Sequence, residues 1–329
     1  MEDHPLYPRQ LDRIAHCWID GEGQTGAGTA RVLIDPATGR GFAECRDADT
    51  GQVSQAVASA KAALPRWADT PPADRAAVLF RLAVLVEQNA DRLAAVESLN
   101  AGKPISQAKR DVARAADYFR FYAGACDKLN GESIPLGPDQ TAFTVLEPVG
   151  VTAHILPWNY PVSTLARGAA PALAAGAAVV AKPSELTPLT AILTAELASE
   201  AGLPAGAFNA VTGAGETGAA LASHRDVAHI TFTGSTATGR KIMQSASKPI
   251  ASTTLELRGK SPVVVLADAD LDAAAAGVAH RRAGFPGHRG KRRVEPRRDS
   301  RRNLGNPPFE HVRVPSPAVC PSRCPQHPR

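Results

Sequence analysis

The stretch "GVTAHILPWNYPVSTLARGAAPALAAGAAVVAKPSE", residues 150–185, decides the fold. It sets two short apolar runs, "GVTAHIL" and "AAVVAK", on either side of a helical segment. Working outward, the pattern recurs in "FNAVT" (208–212), "AHITFT" (228–233) and "TTLEL" (253–257), each reached through a helix-like stretch. Runs that are apolar throughout belong to strands buried on both faces, and intervening helices imply parallel pairing. The fold class is therefore α/β, a Rossmann-like parallel sheet. Such sheets take ligands just beyond the carboxyl ends of their strands, so function is to be sought after each run.

Upstream of residue 150 the chain is organised differently. The first 50 residues read as strand and turn, with "WIDG" and then "ARVLIDPATGR", whose Asp-Pro and Gly are turn chemistry. Apolar residues at spacings of three and four predict two long helices, near 73–99 and 105–127. Cys126 falls on the apolar face of the second and reads as a core residue. Residues 129–150 are polar and turn-rich with strand-like ends, which fits a hairpin that projects from the domain.

Composition narrows the class. The chain has 329 residues, enough for about two domains, and no run of 18 or more apolar residues. The opening "MEDHPLYPRQ" does not read as a signal peptide, and the expectation is a cytoplasmic protein without membrane contact. Five cysteines (17, 45, 126, 320 and 324) argue against a disulfide framework. The net charge of +5 is unevenly placed: residues 281–329 hold 13 Lys and Arg against 3 Asp and Glu, leaving 24 against 29 in residues 1–280. The last 49 residues carry 12 Arg and 9 Pro without helical or alternating period, and disorder is expected there.

Four segments follow strands, and each has two readings. "PWNYP" (157–161) presents Trp158 and Asn159 on a rigid turn; the Asn amide could donate to an oxyanion, or the turn could simply carry an aromatic plug. "KPSE" (182–185) sets Lys182 and Glu185 within reach of a ribose, or forms a surface salt pair. "GAGETG" (213–218) matches a pyrophosphate-binding glycine pattern, yet close packing of helix on strand explains it equally. "FTGSTATGRKI" (232–242) leads Gly234 and Ser235 into a helix, as a phosphate site or as an ordinary N-cap. Glu256, in "TLELRGKSPVVV" (254–265), is an acid among apolar neighbours just before a run that reads as a buried strand; such an acid is paired or does chemistry.

In this order, PWNYP, VVAKPSE, NAVTGAGETG, FTGSTATG and LEL-x-GKSP resemble the aldehyde dehydrogenase superfamily, and the likeness covers roughly residues 10–280. The resemblance implies NAD-dependent oxidation of an aldehyde to a carboxylic acid, with a small-molecule aldehyde as partner. Asn159 would be an oxyanion donor and Glu256 the base that activates hydrolytic water. Trp158, Lys182, Ser184, Glu185, Gly213, Gly234 and Ser235 would line the cofactor, and an acid at Glu185 would favour NAD over NADP. No metal is implied. The implied layout is the N-terminal part of an NAD-binding domain (1–128), an oligomerisation hairpin (129–149), the rest of that domain (150–257), the start of a catalytic domain (258–280) and an aberrant basic tail (281–329). The family forms homo-oligomers.

Two departures bear on activity. The family's nucleophilic cysteine lies about 34 positions beyond the glutamate, near Gly290 here, but no cysteine occurs between Cys126 and Cys320. Arg258 stands where the family has glycine beside the nicotinamide. The expectation is an inactive chain, either a damaged enzyme or a non-catalytic NAD-binding pseudoenzyme. For the tail three readings stand: an out-of-frame product of a G+C-rich gene, a basic arm for an acidic partner, or a weak metal site in "CPSRCPQH" (320–327). Sparse aromatics give nucleic-acid stacking little support.

Overall fold

A computed structural model describes residues 17–257, 265 and 268–275. The Arg/Pro-rich tail, the position near Gly290, Cys320 and, within 258–280, residues 258–264 (Arg258 among them), 266–267 and 276–280 lie outside the described residues. The strands are β1 (Cys17–Ile19), β2 (Glu22–Gln24), β3 (Ala30–Ile34), β4 (Gly41–Arg46), β5 (Ser133–Gly137), β6 (Gln140–Phe143), β7 (Val151–Ile155), β8 (Ala178–Lys182), β9 (Phe208–Val211), β10 (Val227–Gly234) and β11 (Ser252–Leu257). The helices are α1 (Thr50–Ala68), α2 (Pro72–Gln88), α3 (Ala90–Ala101), α4 (Ile105–Ala123), α5 (Pro161–Ala174), α6 (Leu189–Glu200), α7 (Gly215–Ala222) and α8 (Thr236–Ala246).

The main sheet runs β11-β10-β7-β8-β9-β1-β2. Its five strands from β11 to β9 are parallel, and all five coincide with the apolar runs read from sequence. The sheet is mixed rather than purely parallel, because β1 and β2 close the β9 edge antiparallel. On β8 the alternation of side chains divides two cores: Val179 and Ala181 face one cluster with α2–α6, while Ala178 and Val180 face another with α1, α7 and α8. A strand with helices on both faces has no polar face to show, which is why its sequence is apolar throughout.

Three readings of the sequence are corrected. The helix expected over 73–99 is two helices, because Asn89 ends α2 and starts α3, its side-chain amide donating to Leu85 O at 2.9 Å. The helix expected to 127 ends at Ala123, with Gly124 as its C-cap. Helix α1 was not anticipated: Ala56, Ala60 and Ala63 make half of its buried stripe, a weak hydrophobic signal, and Pro65 sits inside its last turn. Cys126 is buried, and burial raises its thiol pKa. Strands β5 and β6 form an exposed two-stranded hairpin. Among the described residues no helix is long and apolar enough to cross a membrane.

Candidate functional site

Chain order places the site. The chain enters the parallel part of the sheet at β7, steps to β8 and β9 on one side, then crosses back so that β10 lies on the other side of β7. Strand order reverses between β7 and β10, and the connections diverge there to leave a crevice at the carboxyl ends. A cavity of about 960 Å³ opens at this point, with Ile155 at the end of β7, Leu156 just after it and Phe232 from β10 in its wall. Ile155 and Phe232 are register partners across the reversal.

One side of the cavity is Lys182, at the end of β8. The residue is buried, and its Nζ donates to Pro183 O at 2.6 Å and Gly213 O at 2.5 Å. Two of three ammonium donors are thus used, and the third is left for the cavity the side chain lines. Burial pulls its pKa down to about 8, with the charges of Glu185 and Asp47 acting the other way. The surface salt pair considered from sequence does not form: Lys182 engages backbone carbonyls, and the half-buried Glu185 accepts instead from the Ser184 hydroxyl at 3.4 Å. Ser184 is itself buried, and its hydroxyl also accepts from Leu186 N at 3.3 Å.

The glycine-rich segment leads into α7, whose N-cap Ala214 has no capping side chain. Glu216 and Thr217 of its first turn line the cavity. Gly213 has φ +153°, and a Cβ there would fall 2.1 Å from Thr217 Oγ1, so packing of loop on helix already demands glycine. A Cβ at Gly218 would lie 3.5 Å from the Lys182 stem, an ordinary packing contact, so α7 runs directly against that side chain. Thr217 in turn donates to Ala48 O at 3.0 Å, which ties α7 to the segment after β4.

Across the cavity stand Thr238, Lys241 and Ile242 of α8. Ser235 is the exposed N-cap of that helix, its hydroxyl accepting from Thr238 N at 3.1 Å, and Gly234 is required sterically because a Cβ would fall 2.4 Å from Phe232 Cζ. Both residues therefore have a structural reason to be present. Sequence reading missed Arg31, Asp47 and Lys241 altogether. They lie in the cavity wall, two of them on the separate β3–β4 ladder and its exit, where no parallel strand ends.

The turn after β7 and the β11 edge are built differently. Trp158 and Asn159 are half-buried on the turn after β7. Beside them Tyr160 lies under Lys103, whose Nζ is 4.8 Å from the ring centroid. Lys103 is buried with Glu97 (3.0 Å) and Asp111 (2.8 Å), and Glu97 also accepts from Thr190 at 2.8 Å. Burial drives the Glu97 pKa up, and Lys103 opposes it. Glu256, read from sequence as an acid that is paired or does chemistry, has a side chain 57% exposed, with Arg167 Nη1 at 3.9 Å, and most of the run after it lies outside the described residues. The cause of the exposure is topological, since β11 is the edge strand and pairs only with β10 among the described residues. Strand β10 separates β11 from β7, which sets the backbones leading to Asn159 and Glu256 roughly 10 Å apart. Among the described residues no cluster of His, Cys, Asp or Glu could hold a metal ion.

A sequence profile described as "Aldehyde dehydrogenase family" matches residues 22–290. The chain belongs to the aldehyde dehydrogenase family. It is 48% identical over 257 residues to a hydroxyisobutyraldehyde dehydrogenase of Mycolicibacterium austroafricanum, with 78% of this chain and 51% of that protein covered. Its fold is similar to that of PnpE in complex with nicotinamide adenine dinucleotide, at TM-score 0.78 and 39% identity, over 82% of this chain and 57% of that one. It is also similar to an E. coli NADP dependent enzyme, at TM-score 0.77 and 38% identity, over 82% and 56%. The chain spans about half the length of the aldehyde dehydrogenases it matches.

Proposed function

We propose that this aldehyde dehydrogenase family chain carries the NAD-binding half of an aldehyde-oxidising site, and that as the sequence stands it binds NAD without oxidising aldehyde. The observation that carries the reading is the cavity at the β7/β10 reversal, with buried Lys182 and half-buried Glu185 on one wall. A nucleotide fits this donor set. Lys182 has one free N–H and Glu185 a carboxylate to accept from ribose hydroxyls, while the uncapped first turn of α7 offers backbone N–H groups.

Bound NAD would supply the hydride acceptor of the family's reaction. This chain's own part is to hold and orient. Lys182, Ser184 and Glu185 would fix the adenosine ribose, Gly213 would lie along the nucleotide, and Gly234 and Ser235 would flank the diphosphate. Trp158 would brace the nicotinamide side, Asn159 would donate its amide to a developing oxyanion, and Glu256 would accept a proton from water. A base without a nucleophile does not complete the reaction, and no cysteine lies between Cys126 and Cys320. The exposed β5–β6 hairpin is proposed as a subunit contact.

Calorimetric titration of the full chain with NAD, followed by a fluorimetric assay for NADH with an aldehyde panel, tests both halves. The expected result is a Kd between about 1 μM and 1 mM with no NADH. Absence of NAD binding defeats the cofactor reading. NADH formation defeats the inactive one.

A further inference from the structure

Resting on the nucleotide reading above, the geometry points to Asp47 as a second selector against a 2′-phosphorylated nucleotide, acting by withholding Arg31. Glu185 repels such a group directly; Asp47 removes the cation that would otherwise receive it.

Four carboxylates line the cavity: Asp47, Asp49, Glu185 and Glu216. Three cations face them, and their commitments differ. Lys182 is spent largely on two backbone carbonyls. Lys241 projects from α8 on the opposite wall. Arg31 is the remaining one, and it is suited to a phosphate because its planar fork can bind two oxygens at once. The Nε–Nη2 edge of that fork is already filled, and its charge is balanced there. Arg31 Nε donates to Asp47 Oδ1 at 2.8 Å and Oδ2 at 2.9 Å, and NH2 lies 2.8 Å from Oδ2. The Asp47 side chain is 11% exposed and the Arg31 side chain 37%, so the pair forms the cavity rim.

Asp47 is not free to release its partner. Its N–H donates to Thr29 O at 2.9 Å and its C=O accepts from Gly28 N at 2.7 Å. The residues on either side are tied to the nucleotide-facing loop: Thr212 Oγ1 donates to Arg46 O at 2.8 Å, and Ala48 N donates to Thr212 O at 2.8 Å. Close approach at this point excludes side chains, since a Cβ at Gly26 would fall 2.5 Å from Asp47 O. Arg31 also sits near enough to Glu185 to feel its charge, a lesser contribution than the Asp47 hydrogen bonds that chiefly hold its guanidinium protonated. The selector is thus built from three parts in a row: a repelling acid at the ribose, a cation beside it, and a fixed acid that occupies the cation. A 2′-phosphate adds about −1.5 to −2 charge and meets a guanidinium whose Nε–Nη2 edge is occupied and whose charge Asp47 already balances.

The test compares two probes that differ at one phosphate, 5′-ADP and adenosine 2′,5′-bisphosphate, on the full chain by calorimetry. The parent is expected to bind 5′-ADP more tightly. Asp47→Asn frees Arg31 and should shift the affinity ratio toward the bisphosphate by about 10- to 100-fold. Adding Arg31→Ala to Asp47→Asn should abolish the shift, which a general loosening of the loop would not do. Should Asp47→Asn fail to fold, Arg31→Lys serves: one ammonium holds a carboxylate less well than a fork, and a shift of about threefold is expected. A folded variant of either kind whose ratio equals the parent's overturns the inference. A parent that binds neither probe overturns the nucleotide reading itself, and the two failures are distinguishable by the 5′-ADP titration alone.

Discussion

The two sides of one sheet contrast sharply. Around β7, β8 and β9 every strand residue is buried, helices cover both faces, and Lys182 has its hydrogen bonds made. At β11, two strands from β7, Leu257 is exposed and, among the described residues, Glu256 meets only a distant guanidinium. The difference lies in neighbours rather than in residue types. A carboxylate or amine is shaped chemically when other groups exclude water from it, and the nucleotide side supplies those groups from within residues 17–257 whereas the β11 edge does not. On this reading the cofactor half and the catalytic half of the family's site differ in how much of the chain each requires.

The largest test of that contrast lies under the Tyr160 turn. Lys103→Met leaves the Glu97 and Asp111 carboxylates buried without a cation, and should lower the unfolding free energy by about 3–5 kcal/mol in urea titrations. A loss below about 1 kcal/mol would mean this side is not the closed, water-excluding region described.

Histidines on the two neighbouring strands sharpen the comparison. His154 on β7 is fully buried, its Nε2 3.0 Å from Thr152 Oγ1 and its Nδ1 without a partner, and burial first, then the charge of His229, lowers its pKa to about 3. His229 on β10 is half-buried and bonded to Ser252 and Thr254, and it is lowered less far. The sign follows from proton uptake. As pH falls below about 6.5 the unfolded chain protonates this site and the folded one does not, so stability is complete above that pH and declines toward pH 3. The decline attributable to His154 is about 1.4 kcal/mol per pH unit, and a His154→Gln variant should show a pH–stability slope flatter by that amount. An unchanged slope would count against the burial of β7.

The smallest effect is expected at the edge. Glu256→Gln removes one partner of an exposed pair at 3.9 Å and should change unfolding free energy by less than about 0.5 kcal/mol. A change several times larger would show that Glu256 has a structural role at β11.

By itself the sequence located the five parallel strands, because short apolar runs alternate with helical segments, although only β7, β8 and β9 prove buried throughout, and it located Lys182 and Glu185 because they stand at and just after the end of such a run. It also determined that no cysteine stands between Cys126 and Cys320, a matter of composition alone. Tertiary structure decided the rest. Helix α1 was hidden because alanines carry half of its buried stripe, and small residues give little hydrophobic contrast until a sheet is packed against them. The exposure of Glu256 depends on which strands lie beside β11, something no local pattern encodes. Arg31 and Asp47 are 16 residues apart, on a ladder outside the main sheet and its exit, and they meet at the rim only because Arg31 pairs with Cys45 across β3 and β4 and the segment after β4 is tied to α7 by the Thr217–Ala48 hydrogen bond. Spacing along a chain reports periodic structure well. It does not report which distant side chains a register and a crossover bring within hydrogen-bonding distance, because those contacts are fixed by packing of whole elements.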